Sequence, residues 1–290
     1  QDTKMSRKSR RSLKEKLALK NSWAKEALSE FLGTFVLVVL GCGSTAQAVL
    51  SRGASGDIVS IVVGTAMGIV IAVYTGAGVS GGHVNPAVSL AMSVTGRLKW
   101  RKLPVYLLAQ LLGGFVGAAA VFGVYHDALM AYNGGALEVT GPNATAHIFA
   151  TYPSPFLSLA SGFADQVLAT ALLLLGIFAI VDTRNNGTPK GLEPIAIGLL
   201  VTSLAFSLAL NSGGVMNPAR DLGPRLLTAI AGWGTEVFTA GNNWWWVPIV
   251  APLLGGVLGA VIYVVFIEMH HSETQPQENV VCDKYQLTNV

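Results

Sequence analysis

The sequence Asn-Pro-Ala occurs twice in this chain, at residues 85–87 and 217–219, and both copies lie between apolar stretches. Each copy opens an apolar segment of about ten residues, whereas a helix needs about 20 to span the hydrocarbon core of a bilayer. Asparagine is a strong helix N-cap, and proline suits the first helical position because its missing N–H needs no partner there. The repeated motif therefore predicts two half-helices that meet at the middle of a membrane, an arrangement typical of a pore.

The composition agrees with a membrane protein. The chain is 51% hydrophobic and 12% charged, whereas soluble domains carry about 25% charged residues. Six stretches are long enough to span a bilayer, at about 27–50, 58–78, 103–125, 163–181, 192–210 and 246–267. We expect an all-α integral membrane protein with six transmembrane helices and two re-entrant half-helices. The apolar run after Ala27 is too long for a signal-peptide core, so no cleavable signal is expected.

The spacing of the motifs indicates an internal duplication. Asn85 and Asn217 lie 132 residues apart, and the related strings at residues 30–34 and 166–170 lie 136 apart. Because each copy has three spans, an odd number, the second copy must enter the membrane from the opposite side, which predicts an inverted repeat with its site between the halves. We expect a channel domain over residues 26–268, with halves 26–126 and 161–268 joined by an extracellular loop, 127–160.

Glycine pairs at spacing i, i+4 occur within the apolar stretches, and such pairs let membrane helices approach closely. These pairs are predicted to serve packing and are Gly64/Gly68, Gly113/Gly117 and Gly255/Gly259.

The positive charges are distributed unevenly along the chain. Nine of the 19 Lys and Arg lie in residues 4–25, others lie between the second and third spans and between the fourth and fifth, and none lies from Leu103 to Asp182. The positive-inside rule then places both termini in the cytoplasm. Asn143-Ala144-Thr145 is a glycan acceptor sequon in the outward connection, and this agrees with the same topology.

The two ends of the chain are polar. Residues 1–25 are expected to form a basic cytoplasmic segment whose single aromatic residue, Trp23, lies near its end. The segment predicts membrane orientation and contact with anionic lipid, with no nucleic-acid partner. Residues 269–290 predict a flexible cytoplasmic tail. The tail ends at Val290 and offers a C-terminal carboxylate that a PDZ domain can capture, a partner that remains hypothetical.

The predicted chemistry at the midplane follows from the helix starts. Two helix N-termini, each carrying roughly half a positive charge, would point into one volume and repel cations, protons included. The side-chain amides of Asn85 and Asn217 would donate hydrogen bonds to a passing oxygen atom. A water that accepts both bonds is turned away from its neighbours along the file, which interrupts proton hopping.

Charged residues near the half-helices are candidates for function. Arg220 lies one turn beyond Asn217 and would donate hydrogen bonds to a permeating solute while repelling cations. Asp221 is expected either to brace this arginine or to hold loop backbone, and Arg225 is expected at the membrane interface. Glu30 and Gln166 occupy equivalent places in the duplicated halves and are expected to hold the dipping loops, with a proton relay at Glu30 as the alternative.

His83 lies two residues before Asn85, on the cytoplasmic approach to the predicted pore. Two interpretations stay open. The side chain is either a hydrogen-bonded structural histidine or a pH-sensitive gate, because imidazole titrates near neutral pH.

Catalytic and metal-binding functions have little support. The two cysteines form no CxxC motif, and the five histidines are scattered without metal-ligand spacing. No paired carboxylates or Ser/His/Asp arrangement accompanies the half-helices, so we expect no cofactor, no metal and no catalytic residue. The alternatives to a passive channel are a secondary transporter, which also uses broken helices, a membrane-bound hydrolase and a junction protein without transport.

At this point a family resemblance can be stated. Four short strings of the sequence resemble the aquaglyceroporins, in particular the branch with aquaporins nine and ten. They are Ser-Gly-Gly-His-Val-Asn-Pro-Ala-Val, Gly-Leu-Glu-Pro at 191–194, Met-Asn-Pro-Ala-Arg-Asp-Leu-Gly-Pro-Arg at 216–225 and Ala-Gly-Trp-Gly at 231–234. The resemblance covers about residues 24–271. It implies a homotetramer in the plasma membrane, with a pore in each subunit for water, glycerol, urea and other small neutral solutes.

The resemblance also implies which residues form the outer constriction of the pore. Counted from the two motifs, the four positions fall on Thr65, Ala205, Gly214 and Arg220. Glycerol channels of this family often carry an aromatic residue at the first position and a bulkier group at the third. Because Thr65 and Gly214 depart from that pattern, we expect a wide opening and broad passage of neutral solutes.

Overall fold

The computed structural model describes residues 18–214 and 216–271, and helices dominate these ranges. The predicted basic residues at 4–17, the tail at 272–290 and its terminal Val290 lie outside the described residues. In chain order the α-helices are α1 (Ser22–Leu50), α2 (Ile58–Ser80), α3 (Pro86–Val94), α4 (Leu103–Val124), α5 (His126–Tyr132), α6 (Leu159–Val181), α7 (Glu193–Ser212), α8 (Pro218–Thr228), α9 (Glu236–Asn243) and α10 (Val247–Phe266).

Six of these helices, α1, α2, α4, α6, α7 and α10, lie in segments long and apolar enough to cross a membrane. Their bounds follow the apolar stretches of the sequence within a few residues at most ends. The largest difference is at α1, which begins at Ser22 because the Asn21 side chain accepts a hydrogen bond from the Trp23 amide and caps the helix. The predicted extracellular loop contains α5 and a short 3-10 helix, Ala146–Ile148.

The packing confirms the inverted repeat. Helix α1 packs against α2 and α4, and the equivalent helix α6 packs against α7 and α10. The half-helices are exchanged between the repeats, since α3 packs mainly on α10 and α8 packs mainly on α4. Helices α2 and α7 make a further contact between the halves. Neither repeat therefore completes its own half-helix packing, and the two fold around each other.

Two glycines at equivalent positions permit close crossings of the long helices. A Cβ atom at Gly113 of α4 would overlap the carbonyl of Phe31 in α1, and one at Gly255 of α10 would overlap the carbonyl of Val167 in α6. These are equivalent crossings in the two repeats. The packing role predicted for these glycine pairs is confirmed at both crossings.

The neighbouring Gly114 seats the second half-helix, and its substitution gives a first prediction. A Cβ atom at this position would lie 2.6 Å from the backbone oxygen of Ala219 in α8. We expect Gly114→Ala to lower the free energy of unfolding by about 1–3 kcal/mol, because backbone must move to admit the methyl group. The thermal unfolding midpoint in detergent measures this effect.

The control lies in the same helix. A Cβ atom at Gly123 meets no other atom within 4 Å, so Gly123→Ala should be neutral or stabilising, since alanine favours a helix by about 1 kcal/mol over glycine. Equal midpoints for the two variants would show that α4 and α8 are not in close contact at Gly114.

Candidate functional site

The two Asn-Pro-Ala motifs begin α3 and α8 as the sequence predicts. Asn85 is the N-cap of α3, and its Oδ1 atom accepts a hydrogen bond from the Ala87 amide at 2.8 Å. Asn217 caps α8 in the same way and accepts from the amides of Ala219 and Arg220. Each asparagine therefore points its Oδ1 atom into its own helix and leaves its Nδ2 group free for other partners.

The two asparagines are braced against each other across the repeat. The Asn85 Nδ2 atom donates to the backbone oxygen of Met216 at 2.9 Å, and the Asn217 Nδ2 atom donates to that of Val84 at 2.8 Å. Val84 and Met216 adopt left-handed φ angles of 46° and 45°, which are unfavourable for side chains of these types. This paired strain presents each carbonyl to the opposite asparagine. Each amide keeps a second N–H for another acceptor.

A cavity of about 550 Å³ runs past both asparagines. The structure brings together on its wall all of the residues predicted for the midplane, the constriction and the cytoplasmic approach. These are Thr65, His83, Asn85, Ala205, Gly214, Asn217 and Arg220. The predicted scaffold residues Glu30, Gln166 and Asp221 are fully buried beside this cavity and do not line it.

Glu30 holds the first dipping loop. Its carboxylate accepts hydrogen bonds from the backbone amides of His83 and Val84 at 2.9 and 2.7 Å. It accepts two further bonds, from Ser80 Oγ at 2.6 Å and Gln110 Nε2 at 2.7 Å. Four donors compensate a buried carboxylate that would otherwise be costly in a membrane. The contacts are those expected of a loop scaffold.

Gln166 occupies the equivalent place in the second repeat but makes different contacts. Its Nε2 atom donates to Ser212 Oγ at 2.7 Å, at the end of α7. Ser212 in turn contacts Asp165, which also accepts a bond from Asn211 at 3.1 Å. In the second repeat, the Gln166 amide and the Asp165 carboxylate together hold the end of α7. In the first repeat, the Glu30 carboxylate alone takes the equivalent place.

The loop between α5 and α6 forms the part of the cavity wall next to Arg220. Arg220 donates through Nη1 to the backbone oxygen of Phe149, and His147 and Tyr152 from the same loop also line the cavity. Loss of bulk water within these walls lowers the pKa of His147 below its ordinary value, which favours a neutral imidazole at neutral pH. The loop between α5 and α6 is therefore part of the site, which the sequence did not indicate.

The prediction for Arg225 is wrong. Its side chain is fully buried and forms a salt bridge at 2.8 Å with Asp221, one turn earlier in α8. Arg225 also donates to the backbone oxygens of Thr151 and Val237 at 2.6 and 2.7 Å. The i, i+4 spacing of opposite charges in a half-helix was the available signal for this pair.

Asp221 holds loop backbone, the second of its two expected roles. It accepts a hydrogen bond from the Thr151 amide at 2.8 Å in addition to its pair with Arg225. The arginine that it braces is Arg225, whereas Arg220 reaches the Phe149 carbonyl. Both arginines thus fasten the loop between α5 and α6 to α8, but only Arg220 of the two faces the cavity.

Two buried polar residues of this site were missed in the sequence. Gln110 of α4 donates to both Glu30 and Ser89, and Ser89 of α3 contacts His83 Nδ1 at 3.1 Å. A glutamine within an otherwise apolar span was the signal for the first of them.

Asn143 lies in a turn of the loop between α5 and α6 and is partly exposed. Within residues 18–214 and 216–271, no group of three or more His, Cys, Asp or Glu side chains is placed to hold a metal ion.

The sequence of the chain matches a known family and several known proteins over most of its length. The family model described as Major intrinsic protein matches residues 17–263. The chain is 64% identical over 263 residues to Aquaporin-9 of Homo sapiens, covering 91% of this chain and 89% of the relative. It is 50% identical over 275 residues to Aquaporin-10 of Homo sapiens, covering 94% and 91% of the two chains.

A solved structure agrees with the sequence matches. The X-ray structure of the aquaglyceroporin from Plasmodium falciparum superposes with a TM-score of 0.77 at 35% sequence identity. The match covers 85% of this chain and 98% of that one.

Proposed function

The chain belongs to the major intrinsic protein family, and we infer from this membership that it is a passive channel for water, glycerol and other small solutes, and not an enzyme. It is a multi-pass membrane protein with six spans. We extend the solutes to urea and other small uncharged molecules, and we propose that protons and ions are excluded.

The observation that carries this function is a cavity with both asparagine caps on its wall. The cross-braces between Asn85, Met216, Asn217 and Val84 fix both amide groups where a solute must pass. Stopped-flow light scattering of proteoliposomes against water, glycerol and urea tests it. Solute fluxes equal to those of protein-free liposomes would reject the channel, and dependence on a proton or sodium gradient would favour a coupled transporter.

The exclusion of protons and ions is supported by three positive groups. The N-termini of α3 and α8 face the same volume, each with roughly half a positive charge, and Arg220 adds a full charge on the cavity wall. The remaining N–H groups of Asn85 and Asn217 donate hydrogen bonds to a passing oxygen atom. Because a water that accepts both bonds is turned away from its neighbours in the file, proton hopping is interrupted. A pH-sensitive dye trapped in proteoliposomes should report no proton leak under a pH gradient; a leak above the lipid background would reject exclusion.

The proposed selectivity is broad because the constriction residues are small. Thr65, Ala205 and Gly214 line the cavity opposite a charged donor, Arg220, without adding an aromatic ring. A wide opening with one polar side suits polyols and urea, whose hydroxyl or carbonyl oxygens accept hydrogen bonds.

For Glu30 we propose the scaffold role and not a proton relay, because four donors already bond its carboxylate.

His83 is proposed as a pH-sensitive element at the cytoplasmic approach. It lines the cavity, its Nδ1 atom contacts Ser89, and its ring lies 5.1 Å from that of Tyr106. A proton on this ring adds a cation to the pore wall and requires the loop hydrogen bonds to rearrange. We expect glycerol flux to vary between about pH 5 and 8 in the wild type and to be flat in His83→Ala.

Proteoliposome flux measured across this pH range tests the prediction. His147→Ala is the matched control, because this histidine lines the outer part of the same cavity and should leave the pH profile unchanged. Identical profiles for the wild type and His83→Ala would leave His83 with a structural role only.

The assembly and location are proposed from the family resemblance and the surface. Large apolar side chains such as Leu108, Leu199 and Leu254 are exposed on the spans, as a lipid-facing or subunit-facing surface requires. We propose a homotetramer in the plasma membrane, and native mass determination should give four chains per particle. A particle of one chain would contradict this assembly.

Topology and modification are tested together. We propose that both termini are cytoplasmic and that Asn143 carries a glycan on the outer side. Glycosidase treatment should shift the mobility of the wild type and not of Asn143→Gln; no shift in the wild type would contradict glycosylation.

We also propose a PDZ-domain partner at Val290, which lies outside the described residues. Equal capture of PDZ domains by the chain with and without Val290 would reject this partner.

A further inference from the structure

Gln110 forms a buried link between two parts of the pore wall. It lies in α4 with no exposed surface, and its Nε2 group donates to Glu30 Oε2 at 2.7 Å and to Ser89 Oγ at 2.9 Å. These two bonds use both hydrogens of the amide nitrogen. Gln110 therefore acts as a donor on both sides.

The orientation of this amide is fixed by charge. A rotated amide would place its oxygen against Glu30 Oε2, a carboxylate oxygen that is already the acceptor for the Val84 amide. Two acceptors at that distance repel, whereas an N–H donor to a carboxylate is among the stronger hydrogen bonds. The Gln110 oxygen has no partner among the described residues. The site thus leaves one acceptor unused to keep both donors in place.

The series of hydrogen bonds continues from Gln110 to the Ser89 hydroxyl. Ser89 Oγ accepts from Gln110, so its own hydrogen is available for donation. Within the described chain, the other recorded partner of this oxygen is His83 Nδ1 at 3.1 Å. If the hydroxyl hydrogen is to be bonded, Nδ1 is the acceptor within reach, and this bond requires an unprotonated Nδ1 on a neutral imidazole.

We propose that Gln110 is a positioning residue that, through Ser89, fixes His83 in the tautomer with its proton on Nε2. This inference rests on the proposed channel function, in which His83 lines the cavity. Because Nδ1 faces the buried serine, Nε2–H lies on the other side of the ring and is available to a solute oxygen. His83 then joins Asn85, Asn217 and Arg220 as a fourth hydrogen-bond donor along one file.

The same link opposes protonation of the ring. An imidazolium carries hydrogens on both nitrogens, so Nδ1–H and the Ser89 hydroxyl hydrogen would face each other until the hydroxyl turned away. The titratable groups around the ring are Glu30 and Glu26 of α1 and Tyr106 of α4, with Glu26 bonded to both Tyr106 and Lys102. The carboxylates favour the cationic ring, and the Gln110–Ser89 link acts against them.

Nitrogen-15 NMR of the histidine side chains in the full-length protein in proteoliposomes tests this proposal directly. The chain has five histidines, and the His83 signals are identified as those lost in His83→Ala. In the wild type at neutral pH we expect one tautomer, with an unprotonated Nδ1 and a protonated Nε2. Ser89→Ala should give a mixture of the two tautomers, and Gln110→Leu should raise the pH at which the ring protonates.

Ser93→Ala is the matched control. Ser93 is a second buried serine of α3, and its hydroxyl donates to the backbone oxygen of Ser89, outside the link to His83. This variant should keep the wild-type tautomer and the wild-type protonation midpoint.

Several results would overturn the proposal. They are a protonated Nδ1 in the wild type, an unchanged tautomer in Ser89→Ala and a mixture in Ser93→Ala. An unchanged protonation midpoint in a folded Gln110→Leu would overturn the role of Gln110. If this variant fails to fold, the two serine variants still decide whether Ser89 sets the tautomer. The NMR signals report the ring whether or not solutes pass, so loss of channel activity and failure of the tautomer proposal remain separate results.

Discussion

Replacing Thr65 by phenylalanine is expected to lower the glycerol and urea permeabilities by at least about tenfold, equivalent to a barrier higher by about 1.4 kcal/mol. Thr65 lines the cavity together with Ala205, Gly214 and Arg220. Its side-chain atoms lie 3.6 Å from where a Cβ atom would stand if Gly41 of α1 carried one. Since α1 already packs behind it, a phenyl ring has to extend into the lumen. Water is smaller than either solute, so its permeability should fall less.

The measurement is stopped-flow light scattering with water, urea and glycerol. Thr75→Phe is the matched control, because Thr75 is an exposed residue of the same helix that does not line the cavity. Glycerol and urea fluxes in Thr65→Phe equal to those in Thr75→Phe would place the constriction elsewhere. Gly214 is the less suitable site, because its φ of 60° would strain any larger residue regardless of pore width.

Replacing Arg225 by methionine is expected to lower the free energy of unfolding by about 3–5 kcal/mol, as for other buried ion pairs that lose one partner. The substitution leaves the Asp221 carboxylate buried without its counter-charge and removes donors from the oxygens of Thr151 and Val237. Because Thr151 belongs to the loop that contacts Arg220 through Phe149, the outer wall of the cavity should loosen as well. Solute flux and the thermal unfolding midpoint should fall together.

The control is an arginine in an exposed pair. Arg184 lies 3.6 Å from Glu268 with 56% of its side chain exposed, and exposed pairs contribute about 0–1 kcal/mol. Arg184→Met should therefore leave the midpoint nearly unchanged. Adding Asp221→Leu to Arg225→Met should recover part of the loss by removing the unpaired charge. Equal midpoints for the two arginine variants would show that the Arg225 pair does not hold the loop.

The membrane fold followed from local properties of the chain. Apolar length decided the six spans, and the Asn-Pro start decided the two half-helices, because an N-cap and a proline act within a few residues of themselves. The duplication required only two similar spacings along the chain, 132 and 136 residues. Each of these signals depends on neighbouring residues, so the sequence carried them without the tertiary structure.

The partners of the polar side chains did not follow from the sequence. Arg225 looked like an interfacial charge near a segment end, and it is fully buried because the loop between α5 and α6 folds over α8 and supplies an acceptor at Thr151. The same loop brings His147 and Tyr152 to the cavity wall. No pattern along residues 126–160 indicates this fold, since the loop makes its contacts with α8 and α1, many residues away.

By itself, the sequence determined the class of membrane protein, the number of spans, the half-helices and the residue types at the predicted constriction. Only the tertiary structure decided how the two Asn-Pro-Ala motifs are held. The Asn85 and Asn217 amides each bond the carbonyl that precedes the opposite asparagine, more than 130 residues away. Such bonds depend on where the exchanged half-helices pack, and a hydrogen-bond donor in a sequence does not specify which distant acceptor the fold will bring within reach.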